Sequence, residues 1–297
     1  MQALSLVNQK GGCGKTTSAI HLGAALVRRG ARVLLVDLDP QAHATLGLGC
    51  EIESGPGVHE VLAHGVPARE ALREAAGGLF LLPASARLGE FEEAATQALA
   101  PERRLRRALA PLASEFDYAL CDCPPRVDGV LTANALAAAT VAVLVVETGA
   151  FALQGALRAL ALVEESARVQ GSRFDVRVLA TLFDRRTRFD REVLVALQAR
   201  FGSLLFDTAV RRDVRLREAT ACGCPVQELA PRCRAALDFA ALAAEVQALR
   251  LSNGRPLCPD DAKQSGPVDE PACPAPLPAE LASTARPDRC APLRPAF

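Results

Sequence analysis

The ten residues 8–17, Asn-Gln-Lys-Gly-Gly-Cys-Gly-Lys-Thr-Thr, constrain the fold of this chain more than any other stretch. A short apolar run of the type found in strands, residues 4–7, comes directly before them. After them, apolar residues recur near the spacing of a helix over residues 20–26. The pattern therefore predicts a strand, a glycine-rich loop and a helix in immediate succession.

The glycines of this loop favour the binding of an anion. Gly11, Gly12 and Gly14 can reach backbone angles closed to other residues, and they place no side chain in front of the loop amides. Those amides, with the positive end of the following helix, form an anion site. Lys15 would then reach terminal phosphates, and the Thr16 hydroxyl would complete a Mg²⁺ shell. The loop thus predicts a nucleotide phosphate site.

The start of the loop departs from the generic phosphate-loop spacing G-x-x-x-x-G-K-[ST], because Gln9 or Lys10 stands where the first glycine is expected. The departure brings a second lysine into the loop. The chain contains 34 basic residues but only three lysines, Lys10, Lys15 and Lys263. Arginine serves almost everywhere else, which indicates that compact ammonium groups are kept where a point charge must fit among phosphates.

Residues 10–17 resemble the deviant P-loop of the ParA/MinD ATPases. The resemblance, which covers about residues 1–250, implies that the loop binds ATP through Lys10, Gly11, Gly12, Cys13, Gly14, Lys15, Thr16 and Thr17. It also implies that Lys10 is the signature lysine, which crosses a dimer interface to the nucleotide of the partner subunit.

Acidic residues stand at the ends of two further apolar runs. Residues 33–37 end in Asp37 and continue to Asp39, and a run from residue 116 ends in Asp122, which precedes Cys-Pro-Pro. Such runs are typical of strands buried in a parallel sheet, where ligands bind at the carboxyl edge. A phosphate loop followed by a strand-end acid is also the order of parts in P-loop NTPases.

The resemblance assigns roles to these residues. It implies that Asp39 orients the attacking water and that the Mg²⁺ shell includes Thr16, Asp37 and Asp122. The catalytic residues implied in this way are Lys10, Lys15 and Asp39, and the cofactors are ATP and Mg²⁺.

Short apolar runs alternate with helical patterns along residues 1–250. Strands are also predicted over residues 79–83, 140–146 and 177–183, and helices over residues 57–62, 101–112, 153–169 and 231–250. The alternation predicts an α/β fold, a doubly wound and mostly parallel sheet with helices on both faces. Residues 251–297 hold ten of the twenty prolines and are predicted to be a disordered tail outside this domain.

Arginines are the candidates for contact with DNA. The chain has 34 basic and 34 acidic residues, so any nucleic-acid surface must be a local patch. Residues 184–217 contain nine arginines against five acids, and Arg186, Arg188 and Arg215 resemble the places where ParA proteins carry arginines for non-specific DNA. Pairing of these arginines with neighbouring acids is the open alternative. Four arginines in residues 101–112 are predicted to form a solvated helix face.

No membrane span and no zinc site are predicted. The apolar runs fall short of the roughly 20 residues of a membrane span, and the first strand begins too early for a signal peptide. We therefore expect a cytoplasmic, nucleoid-associated protein with reduced cysteines. Cys121 and Cys123 lack the spacing of a zinc site, and His59 and His64 are expected at the surface because each is isolated in the sequence.

Two functions remain open. The first is a DNA-partitioning ATPase that forms an ATP-sandwich homodimer, binds DNA non-specifically and hydrolyses ATP when a ParB-like partner stimulates it. The second is a MinD-like or ParC-like ATPase switch that positions a protein assembly without DNA. Metal-cluster carriers share the fold, but they need paired cysteines at a dimer axis, and Cys121 and Cys123 do not resemble that arrangement.

Overall fold

A seven-stranded sheet forms the centre of the protein, whose computed structural model describes residues 1–52, 55–95 and 100–252. The strands are β1 (Gln2–Val7), β2 (Val33–Asp37), β3 (Arg73–Ala75), β4 (Leu79–Leu82), β5 (Tyr118–Asp122), β6 (Val141–Glu147) and β7 (Asp175–Thr181). The helices are α1 (Lys15–Arg28), α2 (His43–Gly47), α3 (Val58–His64), α4 (Leu88–Ala94), α5 (Arg104–Leu109), α6 (Val130–Ala138), α7 (Ala152–Gln170), α8 (Arg188–Phe201), α9 (Val214–Ala221), α10 (Val226–Leu229) and α11 (Arg234–Ser252).

The strand order in the sheet is β3-β4-β2-β5-β1-β6-β7, and every neighbouring pair is parallel except β3 with β4. Parallel neighbours need long crossover connections, which the helices supply. The predicted doubly wound, mostly parallel sheet is therefore confirmed. The edge strand β3 was not predicted, because its three residues, Arg-Glu-Ala, show no apolar alternation.

Apolar cores cover both faces of the sheet. Every residue of β1, β2 and β5 is buried, which explains why most of their residues are apolar. Successive side chains of a strand point to opposite faces. In β1, Ala3 and Val7 join a core that includes α3, α5, α6 and α7, whereas Leu4 and Leu6 join a core that includes α1 and α11.

The register of the central strands brings the predicted acids to one edge. Asp37 at the end of β2 lies opposite Asp122 at the end of β5, and Leu6 of β1 is the other neighbour of Asp122. The glycine loop leaves β1 at the same edge and enters α1 at Lys15. The phosphate loop and both strand-end acids therefore meet where ligands bind in open α/β sheets.

The arginines of residues 101–112 do more than form a solvated face, and that expectation is corrected. Their guanidinium groups donate to carbonyl oxygens in the last turns of three helices. The bonds are Arg103 to Gln170 of α7 at 3.1 Å, Arg104 to Leu62 of α3 at 2.7 Å and Arg106 to Ala137 of α6 at 3.4 Å. Cations at these positions satisfy carbonyls that no helix turn can bond and complement the negative end of each helix dipole.

His59 is buried, contrary to the expectation from the sequence, whereas His64 is exposed. His59 lies on the buried side of α3 with only 3% exposure, and its Nδ1 is 3.1 Å from a carboxylate oxygen of Glu60. The predicted tail from residue 253 onward lies outside the described residues. Among the helices that the structure describes, none combines the length and the apolar character needed to cross a membrane.

Candidate functional site

The glycine loop turns from β1 into α1 and keeps its backbone open. Gly12 and Gly14 have φ angles of +74° and +94°, in the left-handed region that side chains disfavour. A Cβ on Gly12 would meet no atom of the described residues within 4 Å. Gly14 is the N-cap of α1 and offers no side chain to the first amides of the helix. The loop therefore leaves room for an anion against the amino end of α1.

The two lysines of the loop lie in different environments. Lys15 is only 7% exposed, and its ammonium donates to the carbonyl oxygen of Lys10 at 3.2 Å. The Lys10 side chain is 62% exposed and pairs with the carboxylate of Glu147 at the end of β6. Asn8 braces this part of the loop by donating to the Val145 carbonyl at 2.6 Å and accepting the Lys10 amide at 3.1 Å. Lys15 thus faces inward and Lys10 faces outward.

Asp122 is fully buried, and neither of its carboxylate oxygens has a hydrogen-bond partner among the described residues. Burial raises the pKa of Asp122 well above its ordinary value and the charge of Asp37 raises it further, whereas the Thr16 hydroxyl and the Lys15 ammonium lower it. Buried carboxylates are normally paired or bound to a metal. Because Mg²⁺ prefers oxygen ligands, the Asp122 carboxylate and the Thr16 hydroxyl fit a Mg²⁺ site.

Asp37 anchors the segment that follows β2. Its Oδ2 accepts the amide and the hydroxyl of Thr45, both at 2.8 Å, and its Oδ1 accepts the amide of Asp39 at 3.2 Å. Burial raises the pKa of Asp37 to about 6, although these donors lower it. Asp39 is buried as well, and its Oδ1 accepts the amide of Gln41 at 3.0 Å. Both acids lie at the predicted edge, but the support from Thr45 had no signal in the sequence.

A series of hydrogen bonds joins the glycine loop to the ends of β6 and β7. The Thr181 hydroxyl donates to the Cys13 carbonyl at 2.7 Å, and the Thr148 amide donates to the Thr181 carbonyl at 3.1 Å. The Thr148 hydroxyl and the Asp184 amide then donate to one carboxylate oxygen of Asp190, at 3.1 and 2.8 Å. Sequence reasoning missed these residues, because their partners are far apart along the chain.

The candidate DNA arginines lie at neighbouring loops. Arg186 precedes α8, Arg188 is the first residue of α8, and Arg215 lies in the first turn of α9. Backbone hydrogen bonds between residue 183 and residues 210–212 hold the two loops together. All three side chains are more than half exposed, and each forms an ion pair, with Asp184, Glu192 and Glu218 respectively. The hydrogen bond from Arg186 lowers the pKa of Asp184.

The cysteines near the site are enclosed. Cys13 is buried in the loop, and burial raises the pKa of its thiol although the charge of Lys15 lowers it. Cys121 and Cys123 are buried in the core, and burial raises the pKa of Cys121 to about 12. Neither of the latter two thiols reaches a surface on which two subunits could share a metal cluster.

A parallel sheet that delivers a glycine loop, an enclosed lysine and a buried strand-end acid to one edge defines a P-loop NTPase. The family model described as an AAA domain matches residues 1–175. The chain is 41% identical over 249 residues to the chromosome-partitioning ATPase Soj of Thermus thermophilus, covering 84% of this chain and 96% of that protein. It is 36% identical over 254 residues to the chromosome partitioning protein ParA of Caulobacter vibrioides, covering 83% and 94%.

Solved structures show the same fold. Cobyrinic acid a,c-diamide synthase from Mycobacterium smegmatis with bound ADP and magnesium superposes with a TM-score of 0.74 at 32% identity, covering 87% of this chain and 98% of that one. The cell division ATPase MinD of Pyrococcus furiosus superposes with a TM-score of 0.69 at 24% identity, covering 84% and 99%. The chain belongs to the ParA/MinD family of P-loop ATPases.

Proposed function

We propose that this protein is an ATP-dependent partitioning ATPase, which pairs around ATP and Mg²⁺, binds DNA without sequence preference and is stimulated to hydrolyse ATP by a ParB-like partner. The observation that carries the proposal is the opposite placement of the two loop lysines. Lys15 is enclosed beside the loop backbone, whereas Lys10 is 62% exposed and free to turn outward once it leaves Glu147. The exposed Lys10 ammonium is thereby accessible to a nucleotide that a second subunit shares.

In this proposal the loop amides, from Gly11 to Thr17, and the Lys15 ammonium bind the β and γ phosphates. Thr16 and Asp122 hold Mg²⁺, and Asp37 stands beside Asp122 at the same edge. Bound Mg²⁺ would neutralise charge on the phosphate oxygens. Asp39 would orient the attacking water, since its carboxylate is held at this edge by the Gln41 amide.

Turnover of the isolated subunit is expected to be slow. Positioning and charge compensation supply most of the catalysis of phosphoryl transfer. In the isolated subunit Lys10 is paired with Glu147, so one positive charge that the transition state needs is directed elsewhere. Pairing of two subunits would bring Lys10 to the partner's ATP, and the partner protein would favour that arrangement.

DNA binding would use the exposed faces of Arg186, Arg188 and Arg215. A guanidinium group has five N–H donors, so an arginine that already contacts a carboxylate can still donate to a phosphate. Contacts limited to the DNA backbone are independent of sequence, and the logarithm of the affinity falls by about 0.9 per phosphate contact for each tenfold rise in salt. In this case the protein would be nucleoid-associated within the cytoplasm.

The proposal is tested by comparing Lys10→Ala and Lys15→Ala with wild type in ATPase and sedimentation experiments. Lys15→Ala should lose nucleotide affinity. Lys10→Ala should keep ADP affinity but remain monomeric with a non-hydrolysable ATP analogue and Mg²⁺. Arg168→Ala is the matched control, because the Arg168 side chain is also mostly exposed, at 74%, and also forms an ion pair, with Glu165. Normal pairing and normal stimulation of Lys10→Ala would contradict the role across the dimer.

A second function has one observation in its favour. Each candidate DNA arginine is already paired with a carboxylate of its own subunit, as expected for a protein-positioning switch that does not use DNA. A DNA column distinguishes the partitioning ATPase from the protein-positioning switch. Retention of wild type and of Arg215→Ala is measured at low and at high salt. Salt-sensitive retention that weakens in Arg215→Ala supports partitioning of DNA. The absence of retention at either salt concentration supports the switch.

A further inference from the structure

Phe151 is the most exposed large hydrophobic side chain among the described residues, at 79% of its full exposure. It lies between β6 and α7, immediately before the first residue of that helix, Ala152. The side chain therefore contributes almost nothing to either core. Packing among the described residues therefore does not account for an aromatic side chain at this position.

The local backbone also gives no reason for an aromatic residue here. Phe151 is the N-cap of α7, a position that favours Ser, Thr, Asp or Asn because their side chains accept an amide of the first turn. Phe151 makes no such bond, and only its carbonyl oxygen takes part, by accepting the Gly155 amide at 2.8 Å. Phenylalanine at this position thus neither caps the helix nor buries its apolar surface.

Phe151 shares an edge of the protein with Lys10. The Gly149 amide donates to the Glu147 carbonyl at 2.9 Å and the Ala152 amide to the Gly149 carbonyl at 3.0 Å, so a tight turn connects Phe151 to Glu147. Glu147 in turn holds the Lys10 ammonium. We call Lys10, Gly11, Gly12, Glu147 and Phe151 the loop face.

We propose that Phe151 is the apolar anchor by which the loop face of one subunit binds the loop face of a second copy of this chain. The inference rests on the proposed function, since it names a contact of the nucleotide-dependent pair. In a twofold-symmetric pair the same patch meets itself and must be self-complementary. The loop face meets that condition, because it carries a cation in Lys10 and an anion in Glu147 beside an apolar side chain.

The size of the contact supports a central role for Phe151. A buried phenylalanine removes about 150–250 Å² from water, and a standard interface buries about 800 Å² per partner. One side chain would thus supply about a fifth to nearly a third of each subunit's share. Gly11 and Gly12 add to the fit, because a Cβ on either would meet no described atom within 4 Å, so a partner can approach their backbone closely.

Phe151→Ser tests the inference in the full chain, and Val169→Ser is the matched control. Val169 is 75% exposed, lies near the other end of the same helix and is about 27 Å away by helix rise. Serine at residue 151 restores a preferred N-cap, so the Tm should be unchanged or higher. Pairing is measured by sedimentation velocity with a non-hydrolysable ATP analogue and Mg²⁺, and affinity for a fluorescent ADP reports on the nucleotide site.

The expected result is a dimer dissociation constant at least about 30-fold weaker for Phe151→Ser, which corresponds to about 2 kcal/mol, the value typical of an interface hot spot. ADP affinity should match wild type, and Val169→Ser should pair normally. Normal pairing of Phe151→Ser, or a parallel loss of ADP affinity, would overturn the inference while leaving the proposed function in place. If wild type itself does not pair on the analogue, the inference and the proposed function both fail.

Discussion

His21, a residue of α1 that the phosphate site does not use, is expected to make a destabilising contribution to the nucleotide-free fold as the pH falls. Its ring packs against Phe239, with centroids 5.4 Å apart, and its Nδ1 accepts the amide of Val226 at 3.1 Å. The ring proton is therefore on Nε2, which is buried and has no partner among the described residues. Because burial disfavours the charged ring, the pKa of His21 is lowered from 6.5 to about 3.

The size of the effect follows from this difference in pKa. Between about pH 6.5 and pH 3 the unfolded chain binds a proton at His21 and the folded chain does not. His21 alone therefore lowers the free energy of unfolding as the pH falls, by about 1.4 kcal/mol per pH unit. From about pH 7.5 to pH 5 the loss comes to about 2 kcal/mol. Asp37 and Asp122 oppose this loss, because burial raises the pKa of both carboxyl groups, that of Asp37 to about 6, and their protonation favours the folded state.

His21→Asn isolates the contribution, since asparagine keeps an acceptor for the Val226 amide but does not titrate. Urea unfolding followed by far-UV circular dichroism gives the free energy of unfolding of both proteins at the two pH values. Asp37 and all other groups are common to both proteins and cancel in the comparison. Wild type should lose about 2 kcal/mol more than His21→Asn on acidification. Equal losses in the two proteins would refute the burial of a neutral His21.

Two further substitutions test the packing around the site. Thr45→Val removes the hydroxyl that donates to Asp37, so a buried carboxylate loses a hydrogen bond. The free energy of unfolding, measured with urea, should fall by about 1–3 kcal/mol. An unchanged value would contradict this role of Thr45. Gly223→Ala would place a Cβ 2.9 Å from the Cα of Gly49, in addition to the strain of a φ of +66°. It should lower the Tm clearly more than Gly171→Ala, where φ is +64° and the added Cβ would have no described atom within 4 Å. Equal losses of Tm in the two variants would contradict the close approach of Gly223 to Gly49.

The parts of the fold that sequence predicts well are those specified by local patterns. The unbroken apolar run of β2 and the glycines of the loop required no knowledge of distant residues. The burial of His59 and the role of Arg104 depended on which helices come together in space, and no local pattern records that. The edge strand β3 was missed because three residues are too few to show a period.

The same division applies to the candidate site. The loop and its acids followed from residue types that phosphate and Mg²⁺ require. The sequence does contain a signal for Glu147, because β6 ends in an acid just as β2 and β5 do. Thr181 and Asp190 had none, since a threonine that supports the Cys13 carbonyl from 168 residues away resembles any other threonine in sequence.

The glycine loop and its two lysines are expected to bind ATP together with Mg²⁺. Isothermal titration of ATP into the full chain, with and without Mg²⁺, measures this most directly. Binding should strengthen at least tenfold with Mg²⁺, about 1.4 kcal/mol, and should be lost in Lys15→Ala. Affinity for ATP that is absent, or that is the same with and without Mg²⁺, would contradict it.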